Sequence, residues 1–434
     1  MRLSLNDKKG IKLETAKKYV TEDIEIILND EDAKALSPEN FRETTTVLGV
    51  KGSIPNYKGA VENGTQGDRL KKLLDAIKSC NYLFYKYTGS GVNNLISYND
   101  TENVTSMFQM FYRSKINNSP SLNTSNVTNM SQMFYQCESL KQIGEMDYSK
   151  VTSMYGMFSG CGNLIEAPEI NSNNATAMYN IFEGCYNLIK VAKLVTGKAT
   201  SLAYLFNGCS KLTEIPELDT SNCTNTRQMF YGCSSLTKIP NIDTSKVTNF
   251  QSMFSGCSAL IEIPELDTSK GTNFQAMFSS CASLTKIPKL DMSKGTDFFS
   301  MCNNCTELIT IEGIDLKSAT SLTSFIGYCK KLTNLTLYNI KTTLQIGSGS
   351  SWGHLLTVDS LVHTVKELIN TGSSRTLTIG SANLAKIENV YVRLTGEAEE
   401  DEANPKYPCE VCNADDEGAM TIIAYANSKN WTIA

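Results

Sequence analysis

The chain has 434 residues, of which 41% are hydrophobic and 20% charged, and a formal net charge of −5 at pH 7. Acidic and basic residues are interleaved, which excludes nucleic acid as a partner because nucleic-acid binding needs a basic stripe. No apolar stretch is long enough to span a membrane, and the lysine-rich start has no apolar signal-peptide core. We therefore expect a protein that is made in a cytoplasm, without membrane insertion.

Residues 1–66 are predicted to form an N-terminal module with a connector. Gly10–Leu28 alternates apolar and polar residues in two runs joined at Thr21–Asp23, which predicts a β-hairpin. It resembles a short hairpin module of phage and prophage tail-associated proteins, and this resemblance implies attachment to other virion proteins. The matching residues are Gly10, Ile11, Leu13, Thr15, Ala16, Lys18, Tyr19, Val20, Asp23, Ile24 and Ile26. The alternative is an ordinary hairpin that covers one end of a repeat stack.

Residues 67–342 are predicted to form a repeat domain that begins with a helix. Asp68 is predicted to be a helix N-cap, and the apolar stripe from Leu70 to Ile77 predicts a helix that runs to about Cys80 and would cover the first turn. Nine cysteines then follow at intervals of 24 residues, which is the spacing of a repeat. They are Cys137, Cys161, Cys185, Cys209, Cys233, Cys257, Cys281, Cys305 and Cys329. An earlier turn ends at Ser114, one residue out of register.

The clearest turn shows what each repeat is expected to contain. Leu236–Ile239 predicts a short strand, and Pro240 ends it because proline has no backbone N–H to donate. Asp243–Ser245 are helix-capping residues, and Val247–Cys257 carries apolar residues at steps of three and four, which predicts a helix. Gly256 would end that helix.

These elements define the predicted fold class, an α/β repeat. We expect a leucine-rich-repeat solenoid of about ten 24-residue turns, with a parallel inner sheet and outer helices. Strands stack about 4.8 Å apart, whereas packed helices prefer about 8–10 Å, so the stack should curve. An N-terminal β-hairpin module and a C-terminal α/β cap complete the architecture.

A recurring phrase gives the repeat a family resemblance. Asn123–Cys137 reads NTSNVTNMSQMFYQC, and Asp243–Cys257 reads DTSKVTNFQSMFSGC. The chain thereby resembles the BspA-like leucine-rich-repeat family of bacterial and phage surface proteins, in the phage or prophage branch that repeats DTSNVTNMSxMFxxC. The resemblance implies a non-enzymatic protein that presents a recognition surface.

The nine spaced cysteines are predicted to be a structural core ladder of buried thiols. Cysteine packs as a small and weakly polar side chain, which suits one core position in every turn. The stacking distance would also allow disulfides between turns, but a reducing site of synthesis disfavours them.

Two rows of charged residues are the predicted binding face. The residues of the first row come just before a position that is isoleucine in most turns. Their charges alternate in sign along the stack, which keeps like charges apart. The second row lies beyond the proline position, and both rows should line the inner arc, where solenoids bind their partners. The first row is Glu166, Lys190, Glu214, Lys238, Glu262 and Lys286, and the second is Glu169, Lys193, Glu217, Glu265 and Lys289.

Residues 343–434 are predicted to form the C-terminal cap. The pattern predicts helices over Asp359–Ile369 and Met420–Lys429, and strands over Thr376–Ile379 and Trp431–Ile433. The segments 376–387 and 424–434 resemble the ends of phage and prophage repeat proteins.

Three residue sets could carry chemistry, and each has a simpler interpretation. Cys409 and Cys412 form a CxxC, but a structural zinc site needs four ligands, so we favour a solvent-facing loop that could form a reversible disulfide. His354 or His363, with nearby Asp359 and one of the many serines, could be drawn as a triad, but no nucleophile elbow accompanies them. The aspartates at 219, 243, 267 and 291 could hold calcium between turns, although helix capping explains the same residues.

The sequence therefore predicts a recognition and adhesion scaffold without catalysis, cofactor or metal. The favoured interpretation is an accessory or receptor-binding protein of a phage or phage-derived virion, with a host cell-surface protein or glycan as its partner. The alternative is a bacterial cell-surface adhesin, and homo-oligomer formation stays open.

Overall fold

A computed structural model of the protein describes residues 46–47, 50–51, 79–88, 92, 96, 98–346, 356–368, 374–379, 381–394 and 409–433. The chain divides into two compact units, Met1–Asp219 and Thr220–Ala434. The hairpin predicted over Gly10–Leu28 and the helix predicted from Asp68 lie outside the described residues, and the three predicted domain ranges stay predictions.

In chain order the helices and strands are β1 (Thr46–Val47), β2 (Val50–Lys51), a 3-10 helix (Tyr98–Thr101), β3 (Glu166–Ala167), β4 (Lys190–Val191), β5 (Lys286–Ile287), β6 (Thr310–Asp315), β7 (Asn334–Tyr338), β8 (Leu344–Gln345), α1 (Val358–Lys366), β9 (Arg375–Thr378), α2 (Ser381–Ile387), β10 (Tyr391–Leu394), β11 (Cys409–Cys412), β12 (Met420–Thr421), α3 (Ile422–Ser428) and β13 (Trp431–Ile433).

The strand side of the turns, a few residues after the spaced cysteine, forms a short parallel ladder in each unit, so the single inner sheet predicted over all turns is not observed in the described residues. In the first unit β3 pairs with β4 in parallel, and Lys190 bridges to Glu214 one turn further on. In the second unit β5, β6 and β7 form a three-stranded parallel sheet. Most strands are only two residues long because the buried residue and the exposed residue of each turn suffice to make the ladder. The described turns are thus a repeat fold of the leucine-rich-repeat type.

The turn side, the six residues before each cysteine, is not helical, so the prediction of outer helices is wrong for the described turns. Each turn has two residues with positive φ four positions apart, such as Ser252 at 52° and Gly256 at 76°, and an α-helix cannot contain them. Successive β-turns form instead, with Cys257 N donating to Phe254 O at 3.0 Å. Gly256 is therefore the third residue of a β-turn rather than a helix stop.

The remaining N–H groups on the turn side join one turn to the next. Phe254 N donates to Met277 O at 2.9 Å, and Gly256 N donates to Ser279 O at 2.8 Å. Neighbouring turns are hydrogen-bonded on both sides, so the turn side lacks the spacing of about 8–10 Å that packed helices would impose. The difference in spacing from which curvature was predicted does not occur in the described turns of either unit.

The core of each unit is built from side chains that repeat with the turns. Phenylalanine rings stack in a column, with ring centroids 5.6 Å apart for Phe134 and Phe158 and 5.7 Å apart for Phe254 and Phe278. A leucine three residues after each cysteine, such as Leu236, is fully buried. Every turn thus buries the same set of side chains against its neighbours, which is how a repeat obtains a continuous core.

The end of the second unit has the predicted mixture of helices and strands. Helix α1 begins one residue before the predicted start and ends at Lys366, and its N-cap Thr357 accepts a hydrogen bond from Ser360 N. Strands β8, β9 and β13 form a parallel sheet, and β10 pairs antiparallel with both β11 and β12. The segment predicted as one helix over Met420–Lys429 is strand β12 followed by helix α3.

Candidate functional site

All eleven charged residues of the two predicted rows are exposed. Glu166 and Lys190 are the exposed residues of β3 and β4, and each precedes a buried residue that points into the core. The two rows are separated by the position that is proline in most turns, as at Pro216 and Pro240. We call the surface that these two rows form within each unit the strand face.

The alternating signs of the first row place opposite charges beside each other. Glu166 pairs in register with Lys190, which in turn bridges to Glu214. In the second row Lys193 Nζ lies 3.1 Å from Glu169 Oε1, and both side chains are about half exposed. Exposed ion pairs of this kind contribute little to stability, about 0–1 kcal/mol. Their use as a binding surface stays a prediction.

The sequence analysis missed a third row on the same side of the turns. The residue before each charged residue of the first row is β-branched, and the isoleucines at this position are strongly exposed: Ile165 by 49%, Ile189 by 44% and Ile261 by 55%. Ile189 N donates to Ile165 O at 2.8 Å, so the row belongs to the ladder. A β-branched residue at 24-residue spacing just before the charge was the available signal. Exposed isoleucines between charges are suited to contact with a partner.

The spaced cysteines are all buried, and all fourteen cysteines of the chain are thiols without disulfides. Within each unit the thiol points at a backbone carbonyl of the preceding turn, with Cys161 Sγ 3.1 Å from Phe134 O and Cys281 Sγ 3.1 Å from Phe254 O. Burial raises the pKa of Cys137 to about 12. Thiols that are buried and hard to ionise are structural rather than reactive.

The spaced aspartates stabilise turns. Asp243 Oδ1 accepts a hydrogen bond from Ser245 N at 2.9 Å, and Asp267 Oδ1 accepts from Ser269 N at 3.0 Å. The capping role is as predicted, but the capped element is a turn and not a helix. Among the described residues no group of three or more His, Cys, Asp or Glu side chains is arranged to hold a metal ion.

Cys409 and Cys412 lie in strand β11, so the prediction of a loop is wrong. The strand pairs with β10, with Cys409 opposite Leu394 and Cys412 opposite Tyr391. Residues three apart in a strand point to opposite faces, with Cα atoms about 10 Å apart, whereas a disulfide needs less than about 7 Å. The suggested disulfide between the two cysteines therefore does not fit strand β11.

The histidine that the structure describes has a structural environment. His363 Nε2 lies 3.0 Å from Leu337 O, and the His363 ring meets the Tyr338 ring edge-on with centroids 5.3 Å apart. His354 lies outside the described residues. The ring nitrogen of His363 is thus engaged by the backbone, which leaves the proposed triad without a geometric basis in the described residues.

The described helices are all too short or too polar to cross a membrane.

Comparison with solved structures finds several leucine-rich-repeat proteins. A leucine-rich repeat protein from Bacteroides ovatus is 19% identical, with 62% of this chain and 70% of that chain covered and a TM-score of 0.37. A leucine rich cell surface protein from Faecalibacterium prausnitzii is also 19% identical, with 58% of this chain and 86% of that chain covered and a TM-score of 0.33. A leucine-rich repeat protein from Eubacterium ventriosum is 15% identical, with 62% of each chain covered and a TM-score of 0.28. No curated protein matches the chain.

One family model matches the repeat region in four overlapping stretches, at residues 78–193, 161–260, 200–312 and 234–337. The stretches overlap because successive turns of a repeat can align with the same model. Because these matches together cover more than half of the 434 residues, the chain belongs to the family described as Mycoplasma protein of unknown function, DUF285.

Proposed function

We propose that this protein is a non-enzymatic recognition and adhesion scaffold of a bacterial cell surface, with a protein or glycan of another cell as its partner. The observation that carries the proposal is the exposure of all eleven charged residues on the strand face, next to exposed isoleucines such as Ile165 and Ile189. A protein that keeps large apolar side chains in water between charges commonly uses them for binding.

The absence of a catalytic role is part of the proposal and has its own support. Catalysis needs a nucleophile or base with a shifted pKa near a water-excluding pocket. Burial raises the pKa of Cys185 and of Cys257 to about 12, and both thiols lie within the packed core. His363 is held by a backbone carbonyl.

The virion role predicted from sequence stays a second proposal. It rests on the hairpin phrase between Gly10 and Ile26, which lies outside the described residues, and on the phrase Asn123–Cys137. In that case the N-terminal module would join the chain to other virion proteins and the repeat would contact the host.

The strand face can be tested by neutralising three of its lysines. We expect the variant K190Q/K238Q/K286Q to bind host cells or immobilised surface glycans about tenfold more weakly, because each lysine contributes a charged contact. Glutamine is chosen over glutamate because glutamate would stack like charges about 4.8 Å apart.

A matched control removes the same charge elsewhere on the repeat. Lys246, Lys270 and Lys294 are exposed but lie outside the strand face, so K246Q/K270Q/K294Q should bind like the parent protein. Circular dichroism should show that both variants are folded. Equal binding by the parent protein and the strand-face variant would rule out the strand face as the recognition surface.

A further inference from the structure

One turn of the repeat departs from its neighbours at several exposed positions. Where other turns have Asp or Asn, as at Asn171 and Asp219, this turn has Val195. Where neighbouring turns have Ser or Asn, it has Gly197, and where most have proline it has Ala192. Each change removes a polar or larger side chain from the surface.

These changes do not improve the turn itself. In other turns the aspartate accepts a hydrogen bond from the N–H two residues later, as Asp147 does from Ser149 at 2.8 Å, and a valine cannot accept one. Glycine adds backbone freedom that folding must remove. Departures from a repeat that cost stability without a local gain are expected at functional positions.

An open cavity of about 780 Å³ lies at this turn. Ala192, Val195 and Pro216 supply apolar wall, while Lys193 and Lys198 supply cations and Glu217 and Asp219 supply carboxylates. Its volume falls within the range of about 300–1,000 Å³ that is usual for small-molecule sites.

Gly197 leaves room for the Asp219 carboxylate in the lining of the cavity. A Cβ atom added there would meet Asp219 Oδ2 at 2.6 Å, which is closer than real Cβ atoms approach. The Asp219 carboxylate therefore occupies space that a serine would take in the neighbouring turns. The cationic side of the cavity is held in place as well, because Lys193 pairs with Glu169 at 3.1 Å and Lys198 Nζ donates to Asn174 Oδ1 at 3.1 Å.

The charges of the cavity indicate a ligand without net charge. Two ammonium groups and two carboxylates line it, so an anionic or cationic ligand would meet repulsion on one side. Carboxylate oxygens accept hydrogen bonds from hydroxyls, ammonium groups donate to ring and hydroxyl oxygens, and the apolar wall suits the C–H face of a sugar ring.

We propose that the cavity beside Val195 and Gly197 binds one or two neutral hexose units of a surface glycan. The proposal rests on the recognition function proposed above and assigns that function a ligand class and a site. The strand face would then contribute the wider contact area around this site.

The test restores the repeat pattern and measures binding to neutral sugars. The full chain would be titrated with neutral hexoses and their short oligomers by isothermal calorimetry and by saturation-transfer NMR. We expect V195D to weaken binding about tenfold or more, because it places a third carboxylate against the site. The control N171D makes the same charge change at the same position of the preceding turn, outside the cavity lining. Its affinity for the sugar should stay within about twofold of the parent protein's.

A second variant changes the shape of the site without changing its charge. G197A adds only a methyl group where Asp219 now lies, and it should also weaken sugar binding while leaving the circular dichroism spectrum unchanged. Equal sugar binding by the parent protein, V195D and N171D would overturn the proposal.

The outcomes also separate this site from the proposed function. If no neutral sugar binds but K190Q/K238Q/K286Q still weakens attachment to cells, the sugar site is wrong and the recognition function stands. If V195D weakens binding to enzymatically deglycosylated cells, the occupant is a protein and the glycan assignment is wrong. If neither sugar binding nor attachment is found, both proposals fail.

Discussion

The thiol of Cys257 donates a hydrogen bond to the backbone carbonyl of Phe230 in the preceding turn, with Sγ 3.0 Å from the oxygen. The same bond links Cys185 to Phe158 at 3.0 Å, so the thiol is a repeated link between turns and not only a filler of the core. The turn that ends at Ser114 supports this interpretation, because Ser114 Oγ donates to Phe84 O in the same way.

This bond gives the first prediction, on the substitution of Cys257. C257S keeps a donor that can reach Phe230 O and should lose at most about 1 kcal/mol of unfolding free energy. C257A loses both the donor and part of the core volume and should lose about 1–3 kcal/mol. Urea denaturation of the two variants measures the difference. If C257A proves as stable as C257S, the hydrogen bond contributes nothing and the cysteine is there for its size.

The limits of the sequence analysis are clearest on the turn side. The 24-residue spacing predicts the parallel ladder and a buried position at each cysteine, because a repeat must place equivalent residues in equivalent surroundings. The steps of three and four among Val247, Phe250 and Met253 suggested a helix. Consecutive β-turns, in which residue i+3 donates to residue i, produce the same steps, so apolar spacing alone cannot separate the two.

A backbone signal would have separated them. Gly156 and Gly160 lie four residues apart in one turn and both have positive φ, which is a feature of repeated turns and not of a helix. In the candidate site, the charged rows were predictable from alternation of sign. The cavity was not, because it depends on where the side chains of two neighbouring turns lie, with the Asp219 carboxylate against Gly197.

The second prediction concerns these positive-φ positions. Ala276 has a φ of 51°, which costs an L-residue about 1 kcal/mol, so A276G should raise the free energy of unfolding by up to about that amount. G256A should lower it by about 1–2 kcal/mol, because Gly256 has a φ of 76° and an added Cβ would lie 3.3 Å from Gly232 Cα. Thermal melts of both variants provide the measurement, and destabilisation by A276G would contradict the turn assignment.

The third prediction concerns thiol reactivity. Burial raises the pKa of Cys185 and of Cys257 to about 12, and the pKa of Cys161 lies well above its usual value for the same reason. Only an accessible thiolate reacts with a disulfide reagent, so at pH 8 the native protein should be labelled rapidly only at Cys409 and Cys412, with Cys412 the slower of the two because desolvation raises its pKa. C409S/C412S should then show almost no rapid labelling, and guanidinium should expose all fourteen cysteines of the parent protein and the twelve that remain in the variant.

Rapid labelling of most of the cysteines in folded C409S/C412S protein would contradict the core ladder. It would mean that the turns open on the timescale of the reaction, because a thiol fixed against a carbonyl in the preceding turn cannot reach the reagent.

The fourth prediction is a loss of stability in acid that originates in the spaced aspartates. A hydrogen bond from Ser245 N lowers the pKa of Asp243, and one from the Ser269 hydroxyl lowers that of Asp267. A carboxyl whose pKa is lower in the folded protein than in the unfolded chain stabilises the fold above its unfolded pKa of about 3.9. This contribution is lost as the pH falls through the folded pKa, so the melting temperature should drop below about pH 4. In D243N/D267N the amide oxygen can still accept the same N–H bond but does not titrate, as at Asn123, whose Oδ1 accepts from Ser125 N at 3.2 Å. The double variant should therefore show a smaller drop in melting temperature between pH 7 and pH 3 than the parent protein. An identical drop in both proteins would assign the acid sensitivity to other carboxylates.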